Sequence, residues 1–340
     1  LFRSYFIIGS GVMLDQILDI LKQKVKHGVV VRIIYDDFGS INAIPPHFIK
    51  EMESIGIQTR RFNPYKPMLS VIMNDRDHRK ILVIDGRVAH TGGYNIADEY
   101  INKKIRFGYW KDAGIRVEGE CVNSFTTMFL EMWNYINKDN AVHDEYLNPH
   151  NTFSQSEKSG FVQPFCDSPL EHDDVGENLY VSILSRAKKY VYIFTPYLIL
   201  GTELSHAMIS AARSGVDVRI VVPKIPDKKL IYLQTKANFR PLIEAGVRIY
   251  LYTPGFIHSK CIVADDDTAI VGTCNLDFRS MYWNFEDFVY MYRTQCIGKI
   301  KEDAIETFAV SEEVYEESTN DISFAGRLLQ SILQLFAPLL

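Results

Sequence analysis

The sequence predicts an α/β protein made of two similar domains, and three observations lead to this prediction. The chain has 340 residues, more than a single hydrophobic core usually organises. Each half alternates segments of helical and strand periodicity, an order typical of a sheet covered by helices. A charged motif occurs once in each half with identical internal spacing. We therefore expect two mixed β-sheets flanked by helices and related by pseudo-two-fold symmetry.

Segments outside the motif repeat as well. "HGVVVRIIYDD" at 27–37 resembles "SGVDVRIVVPK" at 214–224, and "IGIQTRRFNP" at 55–64 resembles "AGVRIYLYTP" at 245–254. The segment before each member of the first pair carries apolar residues at helical spacing. The order in each half is therefore helix, strand, helix, strand and a strand pair. The first half carries an extra loop after Pro64.

The domain boundaries follow from composition. The polar, aperiodic stretch 141–160 predicts a linker, so that the first domain spans residues 1–140 and the second spans 161–322. Residues 323–340 have the apolar stripe of an amphipathic helix. Such a helix can lie in a membrane interface or dock on the protein core, and periodicity does not distinguish the two. Because Leu1 lies in an apparent strand, we expect the natural N-terminus to be missing.

The repeated motif is the strongest functional signal. In "NDRDHRKILVIDGRVAHTGGYNIAD" a histidine is followed at +2, +7, +14 and +17 by Lys, Asp, Gly and Asn, and "FIHSKCIVADDDTAIVGTCNLD" repeats this spacing. His-x-Lys-x4-Asp should occur by chance only roughly 0.03 times in such a chain, so two copies indicate a functional repeat. The copies consist of His78, Lys80, Asp85, Gly92 and Asn95, and of His258, Lys260, Asp265, Gly272 and Asn275.

These residue types suit phosphodiester chemistry. Residues i and i+2 of a strand share a face, so each histidine and its lysine should project together. A neutral imidazole can attack phosphorus, and a protonated imidazole can donate its proton to the leaving alkoxide. We expect Asp85 and Asp265 to face away from the phosphate and to be structural. The non-bridging oxygens can be held by the lysines and asparagines of the motif, Lys80, Lys260, Asn95 and Asn275.

A histidine of this kind needs a carboxylate that fixes its tautomer. For His258 the candidate partner is Glu286, 28 residues further along the chain. For His78 the candidate partner is Asp112, 34 residues further along. The alternative for both residues is a surface carboxylate. No group of His, Asp and Glu shows metal-ligand spacing, so we expect neither a metal nor another cofactor.

The paired HxKx4D motif with its Gly and Asn resembles the phospholipase D superfamily, and further stretches resemble bacterial cardiolipin synthases. These include "VRIIYDDFGS", "YWKDAGIRVEG", "GVDVRIVVP" and "NLDFRSMYWNFE". The resemblance implies a phosphatidyltransferase that converts two phosphatidylglycerol molecules into cardiolipin and glycerol through a phosphohistidine. It also implies His78 as the nucleophile, His258 as acid and then base, independence of metals, and two membrane helices before Leu1.

Some assignments stay open at this stage. Asp265 begins a run of three aspartates, which leaves open which carboxylate fills the motif position. Arg279 and Ser280, just past Asn275, are expected to assist phosphate binding or to brace the motif loop. The basic stretch 224–240 either meets anionic headgroups or forms a solvated helix face.

The expected partners are phosphatidylglycerol and an anionic membrane surface. The catalytic region should lie on the cytoplasmic side of a bacterial cell membrane, and the oligomeric state is left open. A net charge of -5 argues against a nucleic-acid partner, since such proteins usually carry a basic excess. The rival functions are a hydrolytic phospholipase D, a phosphodiesterase or nuclease of the same fold, and a non-catalytic relative that only binds phosphate. Intact motifs in both halves argue against the last of these.

Overall fold

The computed structural model describes residues 2–41, 43–64, 75–141, 144–147, 160–171, 173–317, 330 and 333, with only the backbone described for 2–6. The elements of the first half are β1 (Phe2–Phe6), α1 (Val12–Lys26), β2 (Val31–Asp36), α2 (Asp37–Ser40), α3 (Phe48–Ser54), β3 (Ile57–Phe62), β4 (Arg76–Asp77), β5 (Ile81–Ile84), β6 (Val88–Gly92), β7 (Tyr109–Lys111), β8 (Gly114–Glu118) and α4 (Val122–Asn137). A short 3-10 helix follows at Asp144–Tyr146.

The second half repeats this order, with β9 and α5 added before it and β17 after it. Its elements are β9 (Phe161–Asp167), α5 (Val175–Arg186), β10 (Tyr190–Phe194), α6 (Thr202–Arg213), β11 (Asp217–Pro223), α7 (Lys229–Ala237), α8 (Phe239–Glu244), β12 (Arg248–Tyr252), β13 (Gly255–Ile257), β14 (Cys261–Ala264), β15 (Thr268–Gly272), α9 (Phe278–Tyr282), β16 (Asn284–Tyr292), α10 (Cys296–Ala309) and β17 (Ser311–Val314).

The two main sheets have the same strand order. The first sheet runs β3-β2-β1-β5-β6-β8, and the second runs β12-β11-β10-β14-β15-β16. The second sheet is extended by β17 beside β12 and by β9 and β4 beside β16. In both sheets three parallel strands precede an antiparallel hairpin, so each sheet is mixed. The predicted fold of two similar domains, each a mixed β-sheet flanked by helices, is confirmed.

Amphipathic helices cover the outer faces of the sheets. In α1, Leu14, Leu18 and Leu21 recur at helical spacing and are buried against the first sheet. The first amides of this helix, which have no partner within the helix, donate to the carboxylate of Asp98 at 3.1 and 2.9 Å. The sequence pattern and the cap therefore agree on where α1 begins and which face it buries.

The inner faces of the two sheets share one hydrophobic core. Val83 of the first sheet and Val263 of the second are fully buried in it, together with Phe125 of α4 and Phe308 of α10. Burying an aliphatic or aromatic side chain contributes about 1.5–3 kcal/mol, so this shared core couples the two halves.

Three segments considered in the sequence lie wholly or partly outside the described residues. They are the extra loop at 65–74, most of the linker and nearly all of 323–340, so the domain boundaries stay a prediction. Gln330 is described, and its side-chain amide donates to the carbonyl of Leu233 in α7 at 3.1 Å. Within the described part of the chain, every helix is too short or too polar to cross a bilayer.

Candidate active site

Each motif histidine and its lysine lie in a break between two strands. Residues 78–80 separate β4 from β5, and residues 258–260 separate β13 from β14. The sequence predicted that strand alternation would align the two side chains, and the structure differs. The ammonium of Lys80 donates to the carbonyl of His78, and that of Lys260 donates to the carbonyl of His258. A buried ammonium needs acceptors, which the interrupted backbone supplies.

The structure reverses the two carboxylate assignments. Nδ1 of His78 lies 2.9 Å from each carboxylate oxygen of Glu286. Nδ1 of His258 lies 2.8 Å from Oδ2 of Asp112. The predicted pairs, Glu286 with His258 and Asp112 with His78, were therefore wrong. Each histidine is bonded to a carboxylate from the other half of the chain.

Strand pairing between the halves explains the exchange. The short strand β4 runs parallel to the start of β16, and the N–H of His78 donates to the carbonyl of Phe285 at 2.9 Å. In the same way β13 runs parallel to β7, and the N–H of His258 donates to the carbonyl of Lys111 at 2.7 Å. Each histidine therefore lies beside the strand of the opposite half that carries its carboxylate partner.

The two carboxylates occupy equivalent positions. Across each main sheet the motif glycine pairs with a residue of the following strand, Gly92 with Gly114 and Gly272 with Phe288. In both halves the carboxylate lies two residues before that partner. The pseudo-symmetry of the fold therefore extends from the motifs to the groups that orient the histidines.

The neighbours of the two carboxylates differ between the halves. Glu286 is fully buried and accepts from Asn284 at 3.1 Å and from Thr273 at 2.5 Å. The position equivalent to Thr273 is Gly93, where a Cβ would collide with Oδ1 of Asp112 and with a backbone carbonyl. A glycine is therefore required in the first motif, while the second motif uses a hydroxyl to hold its carboxylate.

The electrostatics place both motifs in one site. Burial lowers the pKa of His78, and both Lys80 and Lys260 lower it further, against the effect of its carboxylate partner. Burial also lowers the pKa of His258 to about 3, again with a contribution from both lysines. The motifs lie close together, since a Cβ on Gly93 beside the first motif would be 2.7 Å from the carbonyl oxygen of His258, and the lysine of each motif therefore acts on the histidine of the other. Both imidazoles are therefore neutral near pH 7 in this structure.

The two lysines are buried cations with shifted titration. Lys80 and Lys260 are 0% and 1% exposed. Burial lowers the pKa of Lys80 to about 8 and that of Lys260 to about 7, although the nearby carboxylates oppose the change. The positive charge available for a phosphate is thus complete only well below pH 7, and it is lost as the pH rises through about 7 for Lys260 and about 8 for Lys80.

Binding of a phosphodiester should therefore weaken at alkaline pH. A soluble short-chain phosphodiester keeps a constant charge, so changes in its Kd report on the protein. We expect Kd to rise up to about tenfold per pH unit for each lysine that loses its proton between about pH 7 and about pH 9. Calorimetric titrations across this range measure the effect. A Kd that is independent of pH would contradict the assignment of these lysines as phosphate ligands.

The motif asparagines bond to residues five positions further along the chain. The amide of Asn95 donates to the hydroxyl of Tyr100 at 2.7 Å, and that of Asn275 donates to the hydroxyl of Ser280 at 3.1 Å. Ser280 thus braces the motif loop, one of the two roles expected for it. Arg279 precedes it in α9, and its role in phosphate binding stays a prediction.

The motif aspartates lie at the far ends of their hairpins. The carboxylate of Asp265 accepts from three successive backbone amides at 2.7, 2.8 and 3.0 Å, those of Lys188, Lys189 and Tyr190. The first residue of the aspartate run therefore makes the backbone contacts expected of a structural group. Asp85 lies in the equivalent turn, with a φ of 53° close to the 51° of Asp265.

Sequence reasoning missed a second buried carboxylate beside the site. Asp287 accepts from the N–H of Lys80 at 3.0 Å and from the hydroxyl of Thr91. Burial raises the pKa of Asp287 to about 6. The signal was present in "NFEDFVYMY", where an acidic pair begins an otherwise apolar strand. This carboxylate holds the backbone of the first motif in place.

Sequence reasoning also missed three aromatic rings that pack around His258. The centroids of Tyr100, Trp110 and Phe256 lie 5.5, 5.2 and 6.0 Å from that of the imidazole. The rings touch one another, with centroid separations of 4.7 Å for Tyr100–Trp110 and 4.8 Å for Trp110–Phe256. We call these three residues the aromatic wall.

Comparison with known proteins agrees with this geometry. The family model described as cardiolipin synthase, PLD-like domain, matches residues 3–133 and 180–308, and each matched region contains one motif. The chain belongs to this family. The prediction of a phosphatidyltransferase of the phospholipase D type is thereby confirmed.

Relatives match along the whole chain. An uncharacterized protein of Streptococcus mutans is 48% identical over 100% of this chain and 73% of its own length. Cardiolipin synthases of Alkalihalophilus pseudofirmus and Geobacillus kaustophilus are 38% and 36% identical, each over 99% of this chain and 67% of the relative. The crystal structure of phosphatidylserine synthase from Haemophilus influenzae matches with a TM-score of 0.71 over 99% of this chain and 88% of that chain. Its identity is 15%, so this likeness concerns the fold alone.

Proposed function

We propose that this member of the cardiolipin synthase family transfers a phosphatidyl group from one phosphatidylglycerol to another, giving cardiolipin and glycerol. One observation carries the proposal: two histidines, His258 buried and His78 partly buried, are each bonded to a carboxylate and share a site with two buried lysines. This set supplies a nucleophile, a proton donor and cations for a phosphodiester. Relatives named cardiolipin synthase that match nearly the whole chain support the choice of lipid substrates.

In the first step His78 attacks the phosphorus of phosphatidylglycerol. Glu286 accepts a hydrogen bond from the N–H of Nδ1, which leaves the lone pair of Nε2 free for attack. A P–N bond forms as the P–O bond to glycerol breaks, and His258 gives its Nε2 proton to the leaving oxygen. Because His258 is neutral near pH 7 in the structure, it takes up this proton from solvent as the anionic phosphodiester binds beside it, and Asp112 stabilises the resulting imidazolium.

In the second step the hydroxyl of another phosphatidylglycerol attacks the phosphohistidine. His258, now neutral, removes the proton of this hydroxyl, and the P–N bond to His78 breaks as the new P–O bond forms. Charge on the non-bridging oxygens is stabilised in both steps by Lys80 and Lys260, whose ammonium groups lie in the same site. The motif asparagines brace the segments that follow the two motifs.

A surface beside α7 supports an encounter with an anionic membrane on the cytoplasmic side. Exposed Ile225 and Leu230 flank the basic residues Lys228 and Lys229. Apolar side chains can enter the headgroup layer while each lysine near an anionic surface contributes about 1 kcal/mol. Sedimentation with phosphatidylglycerol vesicles should weaken in a Lys228→Glu, Lys229→Glu variant. Equal sedimentation of the variant and the wild type would contradict this surface.

The function is tested with full-length protein and labelled phosphatidylglycerol in vesicles. We expect cardiolipin and free glycerol as the main products, because a bilayer presents the lipid alcohol at high effective concentration against water at about 55 M. Added glycerol should drive the reaction backward, since both directions share the phosphohistidine. If phosphatidic acid dominates and glycerol does not compete, the protein is a hydrolytic phospholipase D.

A further inference from the structure

The aromatic wall beside His258 has a polar counterpart beside His78. The pairing of β13 with β7 aligns Phe256 with Trp110. The equivalent pairing of β4 with β16 aligns Arg76 with Asn284. Two of the three wall positions are therefore occupied by polar or charged residues on the other side of the pseudo-two-fold axis.

The third wall position follows the same rule. Tyr100 accepts from Asn95, and its equivalent Ser280 accepts from Asn275, so that the two hydroxyls make the same contact. The ring of Tyr100 is the difference between them, and it packs on His258. The three positions are thus aromatic beside one histidine and polar beside the other: Tyr100, Trp110 and Phe256 in the first set, and Ser280, Asn284 and Arg76 in the second.

The wall borders the reaction space and is held rigidly. Tyr100 and Trp110 are only half-buried, whereas Phe256 is fully buried behind them. The side chain of Asn102 holds the backbone of Trp110. Its Oδ1 accepts from the backbone N–H at 2.7 Å, and its Nδ2 donates to the backbone carbonyl at 3.0 Å. Nε1 of Trp110 is buried without a hydrogen-bond partner among the residues that the structure describes. An apolar surface fixed in this way requires no rearrangement when a substrate arrives.

We propose that the aromatic wall keeps water away from His258 and thereby directs the phosphatidyl group to a lipid alcohol. The inference rests on the proposed function, in which His258 removes the proton of the acceptor. Any acceptor must approach this imidazole, and three rings replace the polar groups that would otherwise hold water there. The glycerol and methylene groups of a lipid acceptor can pack on the rings.

The two fates of the intermediate differ only in the acceptor. In each, the P–N bond to His78 breaks, a P–O bond forms, and the acceptor's proton passes to His258. A lipid hydroxyl yields cardiolipin, and water yields phosphatidic acid. The wall thus acts on the ratio of the products while the chemistry of the step stays the same.

The chain itself suggests the test variants. Trp110→Asn and Tyr100→Ser install beside His258 the residues that occupy the equivalent positions beside His78. Tyr100→Ser provides a second variant should Trp110→Asn fail to fold. Two further variants serve as controls. Trp110→Phe preserves an aromatic ring in the wall. Tyr109→Asn makes the polar substitution at the preceding residue of β7, whose side chain is 57% exposed.

The readout is the ratio of phosphatidic acid to cardiolipin formed by full-length protein in phosphatidylglycerol vesicles. We expect this ratio to rise roughly tenfold in folded Trp110→Asn and Tyr100→Ser and to stay near the wild-type value in Trp110→Phe and Tyr109→Asn. An unchanged ratio in the first two variants would overturn the role of the wall and leave the proposed function intact. Wild-type protein that forms mainly phosphatidic acid would overturn both.

Discussion

Replacing His78 or His258 by alanine should lower the rate of cardiolipin formation by about 10⁴-fold or more, because each change removes a group that forms or breaks bonds. The two variants should fail differently. His78→Ala cannot form the P–N bond, so no labelled phosphatidyl group should attach to it. His258→Ala retains the nucleophile, and quenching at alkaline pH, where a P–N bond to histidine survives, should detect slow attachment. Quenched reactions with labelled phosphatidylglycerol measure both.

A matched control is His206→Ala, which alters an exposed histidine of α6 away from both motifs. Its rate should equal that of the wild type. Near-normal turnover by either motif variant would contradict the two-histidine mechanism. Attachment of label to His78→Ala but not to His258→Ala would instead exchange the roles of the two histidines.

The second large effect concerns the carboxylates that cross between the halves. Glu286→Gln and Asp112→Asn keep the shape of each side chain but remove its negative charge and replace one accepting oxygen by an NH2 donor, so the histidine tautomer is no longer fixed. By analogy with other oriented imidazoles, each variant should lose about 10²–10⁴-fold in kcat. Because Thr273 and Asn284 both donate to Glu286, glutamine there also leaves one of these donors without its acceptor.

Nitrogen NMR of the imidazoles separates this pairing from a general loss of structure. In Glu286→Gln the ring-nitrogen shifts of His78 should change while those of His258 stay near the wild-type values. Asp112→Asn should produce the converse pattern. If Glu286→Gln perturbs His258 and spares His78, the carboxylates act within their own halves and the crossed arrangement is wrong.

Local patterns were sufficient to predict much of this protein. The period of Leu14, Leu18 and Leu21 predicts α1 and its buried face, and the repeated spacing predicts two equivalent hairpins. These signals are visible in the sequence because they arise from contacts between residues close along the chain. Histidine and lysine were recognised as functional for the same reason, since their spacing is local and occurs twice.

The pairing of strands that are far apart along the chain could not be predicted from the sequence. Glu286 lies 208 positions from His78, and only the parallel pairing of β4 with β16 brings them together. Distance along the chain favoured His258, which is much nearer to Glu286. The aromatic wall was missed for a related reason, because Tyr100, Trp110 and Phe256 come from three separate segments.

The exchange of strands between the halves has a consequence for the origin of this chain. Either half alone carries a histidine and a lysine but lacks the carboxylate that its histidine requires. Two identical copies could supply that group to each other about a two-fold axis, which is the self-complementary contact of a symmetric dimer. Duplication and fusion of such an ancestor would place both copies under one promoter and free them to diverge. Such divergence would explain why equivalent positions now differ: Gly93 in the first half corresponds to Thr273 in the second, and Asp112 corresponds to Glu286.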